Sequence, residues 1–600
     1  LSDLPQKIQD KVNNAEIKHY YPWRAVWNAH SITTPCRIVV DPRMSGLNEV
    51  LAKGINTLHS LLGLNLNFRG WKEVGTYDIS KMYNQLFVDE DHFQYQLILF
   101  VDDMNPSNPV DTWVLVRAMY GVTCTGNQAE TAIRRAVTKF QDLHPLGADA
   151  ILEQTYVDDG LPTEDTHERL VEKLNQVIMI LASVGFLVKV FTLVYQTVLD
   201  EKASKDGKSI GVCGMRWFPK NDLLSLAEGE INFNPNVRGK KKPNVVPVIT
   251  SQDVTDMILP SRFTKTDIVA RIAEVYNLDG IVEPMKMEHK ILTRILGVGQ
   301  LDWKDLVPDD QRKTWVQVFK NIQDSRHIEW KRAVVPINAV DPTKMRILET
   351  NDGSQYGSAC AVYAGFQLKD GSFSSHLLFA RSSINDPSYT VPRNEEVGSV
   401  LGAQCLYILQ NIFKNRVENL ASVGDSTVNL CWETNKNARL KTWVFSRVRL
   451  IHRLTSGIQR YWTKGTQNPA DFATKQGYTL DLLQEGSKWI EGYPWMKLSV
   501  EEMLETKEIV HSSEISSKLT DEDKDLISAE ELPQLGEVFQ LVPMISRPPV
   551  QEAAKKLQRT AQNRVGKLPT IFENEIHITE RDEVQGTTGS MTFANTPLQD

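Results

Sequence analysis

The sequence predicts a multidomain chain of the α+β and α/β classes. Three observations carry that expectation. Its 600 residues, at roughly 150 per domain, allow about four domains. Short apolar runs of strand length are mixed with segments of helical periodicity through the first three zones described below. The last hundred residues shift to a polar, acidic composition with few aromatics. Hydrophobic residues make up 41% of the chain, the share of a globular protein with a core to bury. No apolar run reaches the roughly 18 residues of a membrane helix, so no membrane partner is expected.

Four zones follow in order: 1–220, 221–345, 346–480 and 481–600. In the first, NEVLAKGINTLHSLLGL (48–64) has helical periodicity, EVGTYDI (73–79) reads as a strand and TAIRRAVTKF (131–140) as a helix. HERLVEKLNQVIMILASVGF (167–186) is an amphipathic helix with a glycine stop. The second zone holds a basic loop, VRGKKKPNVVP (237–247), then helical stretches such as PMKMEHKILTRILGVG (284–299). The third opens with strand patterns, SACAVYAGFQL (358–368) and SHLLFARS (375–382), and continues into a helix, EEVGSVLGAQCLYILQNIF (395–413). Residues 500–600 are expected to be largely disordered, with one short helix over DEDKDLISAEELPQL (521–535).

Net charge is −8, but it is unevenly spread. Residues 501–600 hold 19 acidic and 10 basic residues, residues 1–500 hold 56 and 57. A near-neutral body is compatible with a basic cleft for nucleic acid. The six cysteines, Cys36, Cys124, Cys213, Cys360, Cys405 and Cys431, are scattered and form no C-x-x-C. That fits a reducing compartment and argues against a disulfide framework or a zinc site. The chain opens on Leu1 without a signal peptide, as expected of a piece cut from a polyprotein.

Two constellations of carboxylates stand out. In TYDISKMYNQ (76–85) a strand ends at Asp78, and in LEQTYVDDGLPT (152–163) Asp158 and Asp159 stand side by side. Adjacent like charges repel, and buried unpaired carboxylates are costly. A lone double aspartate is usually a surface turn, as FVDD (100–103) before MNPSNP illustrates. Spacing to Asp78 sets the second pair apart, because a strand end plus a hairpin turn puts three carboxylates on one sheet edge. Such an edge can hold two Mg²⁺ ions roughly 3.5–4 Å apart, as nucleotidyl transfer needs.

The second constellation has other spacings. Asp352 lies at a strand in ETNDGSQYGSACAVY (349–363), and Glu395 in the first turn of a helix in PRNEEVGSVLGAQ (392–404). Asp425 lies at a strand end in VGDSTVNLCW (423–432), and Asp471 at a helix start in GTQNPADFATKQG (465–477). Strand, helix, strand and helix, each giving one carboxylate, is the layout of the ribonuclease H fold. That set also binds two Mg²⁺ ions, there to activate a water against a phosphodiester.

These motifs resemble the BEL/Pao class of long-terminal-repeat retrotransposons. YVDD with DISKMY upstream looks like a reverse-transcriptase palm. YYPWRAVWNAHSITTPCRIVVDPRMSGLNEVLAKG (20–54) looks like that family's fingers. GFLVKVFTL (185–193) and IGVCGMRWFPKNDLLSL (210–226) look like the strands after the catalytic hairpin. Residues 262–303 resemble its thumb-to-connection region, and NPAD and DST recur in its ribonuclease H region. The resemblance runs over about residues 15–500.

The resemblance implies a right-hand polymerase with fingers and palm (1–220), a thumb and connection (221–345), and a ribonuclease H-like domain (346–480). A closing segment and acidic linker (481–600) would lead towards an absent integrase. Asp78, Asp158 and Asp159 are the implied polymerase metal ligands, with Asp159 the less direct. Asp352, Glu395, Asp425 and Asp471 are those of the ribonuclease H site, the family's single glutamate after P-R-x selecting Glu395 over Glu396. Tyr83 matches an aromatic under the nucleotide sugar, Arg37 a contact to the triphosphate, and Tyr120 and Gly121 the nucleotide pocket. Lys189 lies near a strand lysine that assists the leaving group. Mg²⁺ is the implied cofactor, two per site, with Mn²⁺ an alternative.

Implied partners are an RNA template, a DNA primer, the RNA–DNA hybrid, dNTPs, and the nucleocapsid, protease and integrase parts of the polyprotein. The implied location is cytoplasmic, in virus-like particles, with later nuclear access. Two departures are visible: Gly126 replaces the family's proline, and YWTKG (461–465) stands where a histidine is usual. An aspartic peptidase needs D-[ST]-G, which is absent. The rival from another class is a catalytically impaired, nucleic-acid-binding remnant.

Overall fold

The computed structural model describes residues 1–27, 35–101, 107–194, 209–229, 231–232, 248–249, 263–299, 301–435 and 439–531. The basic loop at 237–247 and residues 532–600 lie outside them.

Helix α1 (Gln6–Asn14) precedes a ribbon of β1 (Trp23–Trp27) and β2 (Cys36–Val40). After α2 (Leu47–Val50) and α3 (Leu61–Arg69) comes β3 (Glu73–Ile79). A second ribbon, β4 (Leu97–Val101) with β5 (Val110–Val114), leads into α4 (Thr125–Phe140) and α5 (Pro145–Glu153). The short strands β6 (Thr155–Tyr156), β7 (Asp159–Gly160) and β8 (Thr163–Glu164) follow, then α6 (His167–Ala182) and β9 (Val188–Leu193). Strand β3 is the centre of this sheet: β7, β8 and β9 all pair with it antiparallel. Behind it, Ile133, Val137, Leu170, Leu174 and Val177 pack on Tyr77 and Ile79.

A second sheet has the order β10 (Ile210–Val212), β11 (Met215–Phe218), β12 (Leu223–Leu226), β15 (Glu329–Lys331). A two-residue pair, β13 (Ile231–Asn232) and β14 (Val248–Ile249), stands beside it in sequence. Helices α7 (Lys265–Ala273), α8 (Glu283–Val298) and α9 (Asp309–Asp324) share a core with this sheet through Ile268, Met285 and Phe319.

The third sheet has six strands: β16 (Met345–Gly353), β17 (Gly357–Gly365), β18 (His376–Ile384), β19 (Val417–Gly424), β20 (Gln459–Thr463) and β21 (Ile509–His511). Their order is β18-β17-β16-β19-β20-β21, with β16, β19 and β20 parallel and the other pairings antiparallel. Helix α10 (Val391–Phe413) packs on β16 and β17. Helices α11 (Thr427–Thr434), α12 (Thr442–Leu454), α13 (Val500–Glu505) and α14 (Asp521–Glu530) complete the described chain.

Most expected elements form where the pattern puts them. Helix α6 begins on the Thr166 hydroxyl, which accepts from the Arg169 N–H, and the chain leaves it through Gly185 at φ +82°. Three expectations are corrected. Residues 48–64 are not one helix: α2 ends at Val50, α3 begins at Leu61, and between them Gly54 turns the chain at φ +83° against the Asn127 side chain. That side chain donates to the Ile55 carbonyl (2.7 Å) and holds the loop extended along α4. Helix α10 starts four residues before Glu395, since Pro392 is tolerated in a first turn. Residues 500–531 are folded: β21 buries Ile509 and Val510 as an edge strand on β20.

Arg332, just after β15, is fully buried and all its donors are used. It donates to both Asp222 carboxylate oxygens (2.6 and 2.7 Å) and to the carbonyls of Phe68, Trp71 and Lys72 (2.5–2.8 Å). Arg332→Met leaves the Asp222 carboxylate and three carbonyls without that partner. It is expected to cost about 3–5 kcal/mol in urea unfolding. A loss under about 1 kcal/mol would show that water replaces the guanidinium there.

Candidate active sites

At the first site, β3 delivers Asp78 with Asp159 opposite on one side and Lys189 on the other. The β6–β7 hairpin turns at Val157 and Asp158, with Val157 at φ +58°. The Ile79 N–H donates to the Asp158 carbonyl (2.8 Å), which fixes the hairpin against the strand end. Gly160 is required, because a Cβ there would lie 2.1 Å from the Tyr77 ring. Asp78 is buried, Asp158 half-buried and Asp159 exposed. The Lys189 ammonium lies 3.8 Å from the Asp78 carboxylate.

Tyr83 and Tyr120 face each other with ring centres 5.0 Å apart. Burial raises both phenols, and the Asp158 charge adds to it. Arg37 opposes that shift at Tyr120, so its guanidinium is in reach of the same pocket. Gly121 has φ +102°, and a Cβ there would lie 3.0 Å from the Val40 carbonyl. The structure therefore brings Asp78, Asp158, Asp159, Lys189, Tyr83, Tyr120, Gly121 and Arg37 into one neighbourhood. Gly126 lies in the first turn of α4, where a Cβ would meet only the Tyr83 hydroxyl at 3.7 Å.

Sequence reasoning missed Asn48 and Cys213. The Asn48 amide donates to the Gly121 carbonyl (2.9 Å) and accepts from the Thr123 N–H (2.9 Å), which pins the pocket turn. Cys213, at φ +48° in the β10–β11 turn, has its thiol pushed up to about 12 by burial and by the Asp159 charge. The tight Cys213-Gly214 turn was its only signal.

At the second site, Asp352 stands near the end of β16, Asp425 directly after β19, and Asp471 in the 3₁₀ turn Pro469–Ala473. Glu395 projects from α10. Two glycines let strand and helix meet: a Cβ on Gly353 would lie 2.2 Å from the Glu395 nitrogen, and one on Gly398 2.7 Å from the Asp352 carbonyl. The Thr474 hydroxyl donates to Asp352. The Asn468 amide donates to Asp425 (3.2 Å) and to the Asn351 carbonyl (2.8 Å). Lys475 pairs with Asp471. Glu396 is buried and feels Glu433, Arg460 and Arg447, whereas Glu395 feels Asp425 and Asp352.

The four carboxylates act on one another. Burial, then the Asp352 charge, pushes Asp425 up to about 7. Burial raises Glu395 well above the carboxylate range against the Ser426 hydroxyl, with Asp425 and Asp352 adding. Asp352 is raised by burial and by Asp471. Among the described residues, no three His, Cys, Asp or Glu are already gathered into a metal cage. The donor set nonetheless suits a hard cation: it is all oxygen, and its buried like charges are eased by positive charge.

Residues 264–426 match the family model of the Pao retrotransposon-like RNaseH-like domain. The chain carries a Pao retrotransposon-like RNaseH-like domain. Its matched stretch runs from the start of α7 past Asp425 and takes in Asp352 and Glu395. No curated protein matches the chain. Among solved structures it is similar to a foamy viral protease–reverse transcriptase. The form described as dRH, with double-stranded DNA, is 13% identical and has a TM-score of 0.45, over 75% of this chain and 66% of that one. A complex with an RNA/DNA hybrid is 13% identical, with a TM-score of 0.42 over 75% and 51%. A third, with double-stranded DNA, is 13% identical, with a TM-score of 0.44 over 77% and 82%. The chain thus spans about two thirds and half of the length of the first two.

Beneath the second site Glu349 is fully buried, accepting from Ser422 (2.6 Å) and from Asn351. Burial pushes it up to about 8. The folded chain therefore holds a proton here that the unfolded chain releases near pH 4.5, and stability falls as pH rises from there to about 8. Glu349→Gln should remove a loss of the order of 4 kcal/mol across that window. Thermal unfolding of both proteins at pH 5 and pH 8 tests this; equal pH dependence would mean that Glu349 is ionised in the fold.

Proposed function

We propose that this chain is a Pao-type RNA- and DNA-directed DNA polymerase that also cleaves the RNA of an RNA–DNA hybrid. The observation that carries it is the gathering of two separate carboxylate sets, one at a strand-and-hairpin edge beside a tyrosine pocket, the other on an RNaseH-like sheet and helix. One set would extend a primer with dNTPs; the other would hydrolyse the template strand.

Asp78, Asp158 and Asp159 would hold the divalent ions of the first site, and Asp352, Glu395, Asp425 and Asp471 those of the second. Mg²⁺, or Mn²⁺ in its place, supplies Lewis acidity and charge neutralisation at the phosphorus when bound. The remaining work falls to the chain's own groups. Tyr83 and Tyr120 give the sugar and base an apolar floor. Arg37 offers a planar fork for the triphosphate. Lys189, 3.8 Å from Asp78, offers a proton or charge to the departing pyrophosphate. At the second site Thr474, Asn468 and Ser426 orient three of the carboxylates, which fixes where substrate phosphate is received. The zones 1–220, 221–345 and 346–480 would serve as fingers and palm, thumb and connection, and ribonuclease H. The polyprotein partners, particle-borne location and nuclear access belong to this same proposal.

Primer extension on an RNA template and cleavage of an RNA–DNA hybrid, both with Mg²⁺, separate the sites. Asp158→Asn should lower extension at least about 10³-fold and leave cleavage intact. Glu395→Gln should do the reverse. Tight hybrid binding by a folded wild-type chain with neither activity would favour the impaired remnant.

A further inference from the structure

Arg393 stands two residues before Glu395 on α10. Its guanidinium donates to the Glu530 carboxylate from Nε (3.1 Å) and Nη2 (2.7 Å) and lies 5.0 Å from the Trp443 ring. Lys441 donates its backbone N–H to the Glu530 carbonyl (2.7 Å) and its ammonium to the Ala529 carbonyl. Arg393, partly buried, and Lys441, exposed, thus both donate to the end of α14.

The remainder of α14 is acidic. Asp521, Glu522, Asp523, Asp525 and Glu530 stand against one lysine, Lys524. Three of them fill the first turn, where the helix dipole and the Thr520–Asp523 capping box suit them. Asp523 is close enough for its charge to act on Glu395. That repulsion opposes docking, so something must offset it.

The hold on α14 is light. None of its residues is buried. Leu526 and Ile527 lie partly buried against Val428, Trp432, Leu440, Val444 and Val448. A cleft of about 520 Å³ opens between α14, α11 and the 3₁₀ turn Ser512–Lys518. The Glu530 carboxylate on Arg393 and the Ala529 carbonyl on Lys441 occupy the places that backbone phosphates need, since cations beside a phosphodiester-cleaving site receive phosphate.

We infer that α14 is an acidic strap whose end occupies a phosphate seat, through the Glu530 carboxylate on Arg393 and the Ala529 carbonyl on Lys441, and that it restrains RNA–DNA hybrid binding beside Glu395 until it is displaced. The inference rests on the ribonuclease reading above. Displacement by the hybrid itself, or by cleavage of the chain ahead of Thr520, would free the seat.

The test uses the whole 600-residue chain. L526D/I527D removes the apolar hold, and Glu530→Ala is a milder release that keeps the helix. Affinity for a fluorescent RNA–DNA hybrid and the initial cleavage rate at low hybrid with Mg²⁺ are measured for each. Binding should tighten about three- to tenfold for L526D/I527D and about threefold for Glu530→Ala. Cleavage should rise in proportion, primer extension should stay constant, and adding Arg393→Ala should erase the gain. Unchanged or weaker binding by both variants, folded by circular dichroism, overturns the strap. Cleavage by the parent with no change in either variant does the same and leaves the ribonuclease reading standing. Tightened binding with no cleavage by any protein keeps the strap and removes the ribonuclease reading.

Discussion

Two buried guanidiniums at the end of α3 hold the two sites in one frame. Burying a charge costs several kcal/mol unless every donor is met. Arg332 meets all five through Asp222 and three carbonyls around the α3–β3 connection, which ties the β12–β15 sheet to the strand that carries Asp78. Arg69, on α3 itself, donates to the carbonyls of Leu377 and Leu378 on β18 (2.8 and 2.5 Å) and lies 3.3 Å from Asp279. Strand β18 belongs to the sheet whose central strand carries Asp352. One helix end therefore couples both carboxylate sets through backbone carbonyls, which, unlike side chains, have no alternative rotamer.

The same constraint, charge without water, shapes each site differently. At the first, Asp159 stays exposed and the Lys189 ammonium stands 3.8 Å from the buried Asp78. At the second, Asp352 is buried and Asp425 and Glu395 sit deep beside it. Neutral donors from Thr474, Asn468 and Ser426 favour the charged forms, but burial and mutual repulsion outweigh them. The second set is thus the one most changed by an added cation. Glu396 marks the boundary: one residue on, it turns to Glu433 and Arg460 and leaves the cluster to Glu395.

Much of this was legible in the residues, and for stated reasons. The α6 pattern and the β16–β18 alternation are long enough for periodicity to decide. The carboxylates were legible because unfavourable charges at element ends need a reason. Gly353 and Gly398 were visible only as letters; their meaning is a backbone contact between distant segments. Asn48 was hidden because a side chain that holds a loop carries no pattern of its own. Residues 48–64 misled because Gly54 breaks a helical period that the apolar spacing alone continues. The tail misled because composition was averaged over a hundred residues, and Ile509 and Val510 vanish in that average.

That last error has a physical lesson. An acidic helix should avoid a cluster of carboxylates, yet α14 brings Asp523 close enough to act on Glu395. The offset is small and countable: two donations from Arg393 to one Glu530 carboxylate oxygen, two bonds from Lys441 to carbonyls, and two partly buried aliphatic side chains. Each such contribution is of the order of 1 kcal/mol, and the repulsion with Glu395 subtracts from their sum. A segment so placed sits close to balance. A polyanion bringing several phosphates to the same cations gains by counterion release what one carboxylate does not. The fold thus leaves the acidic helix as the weaker of two ligands for one basic rim.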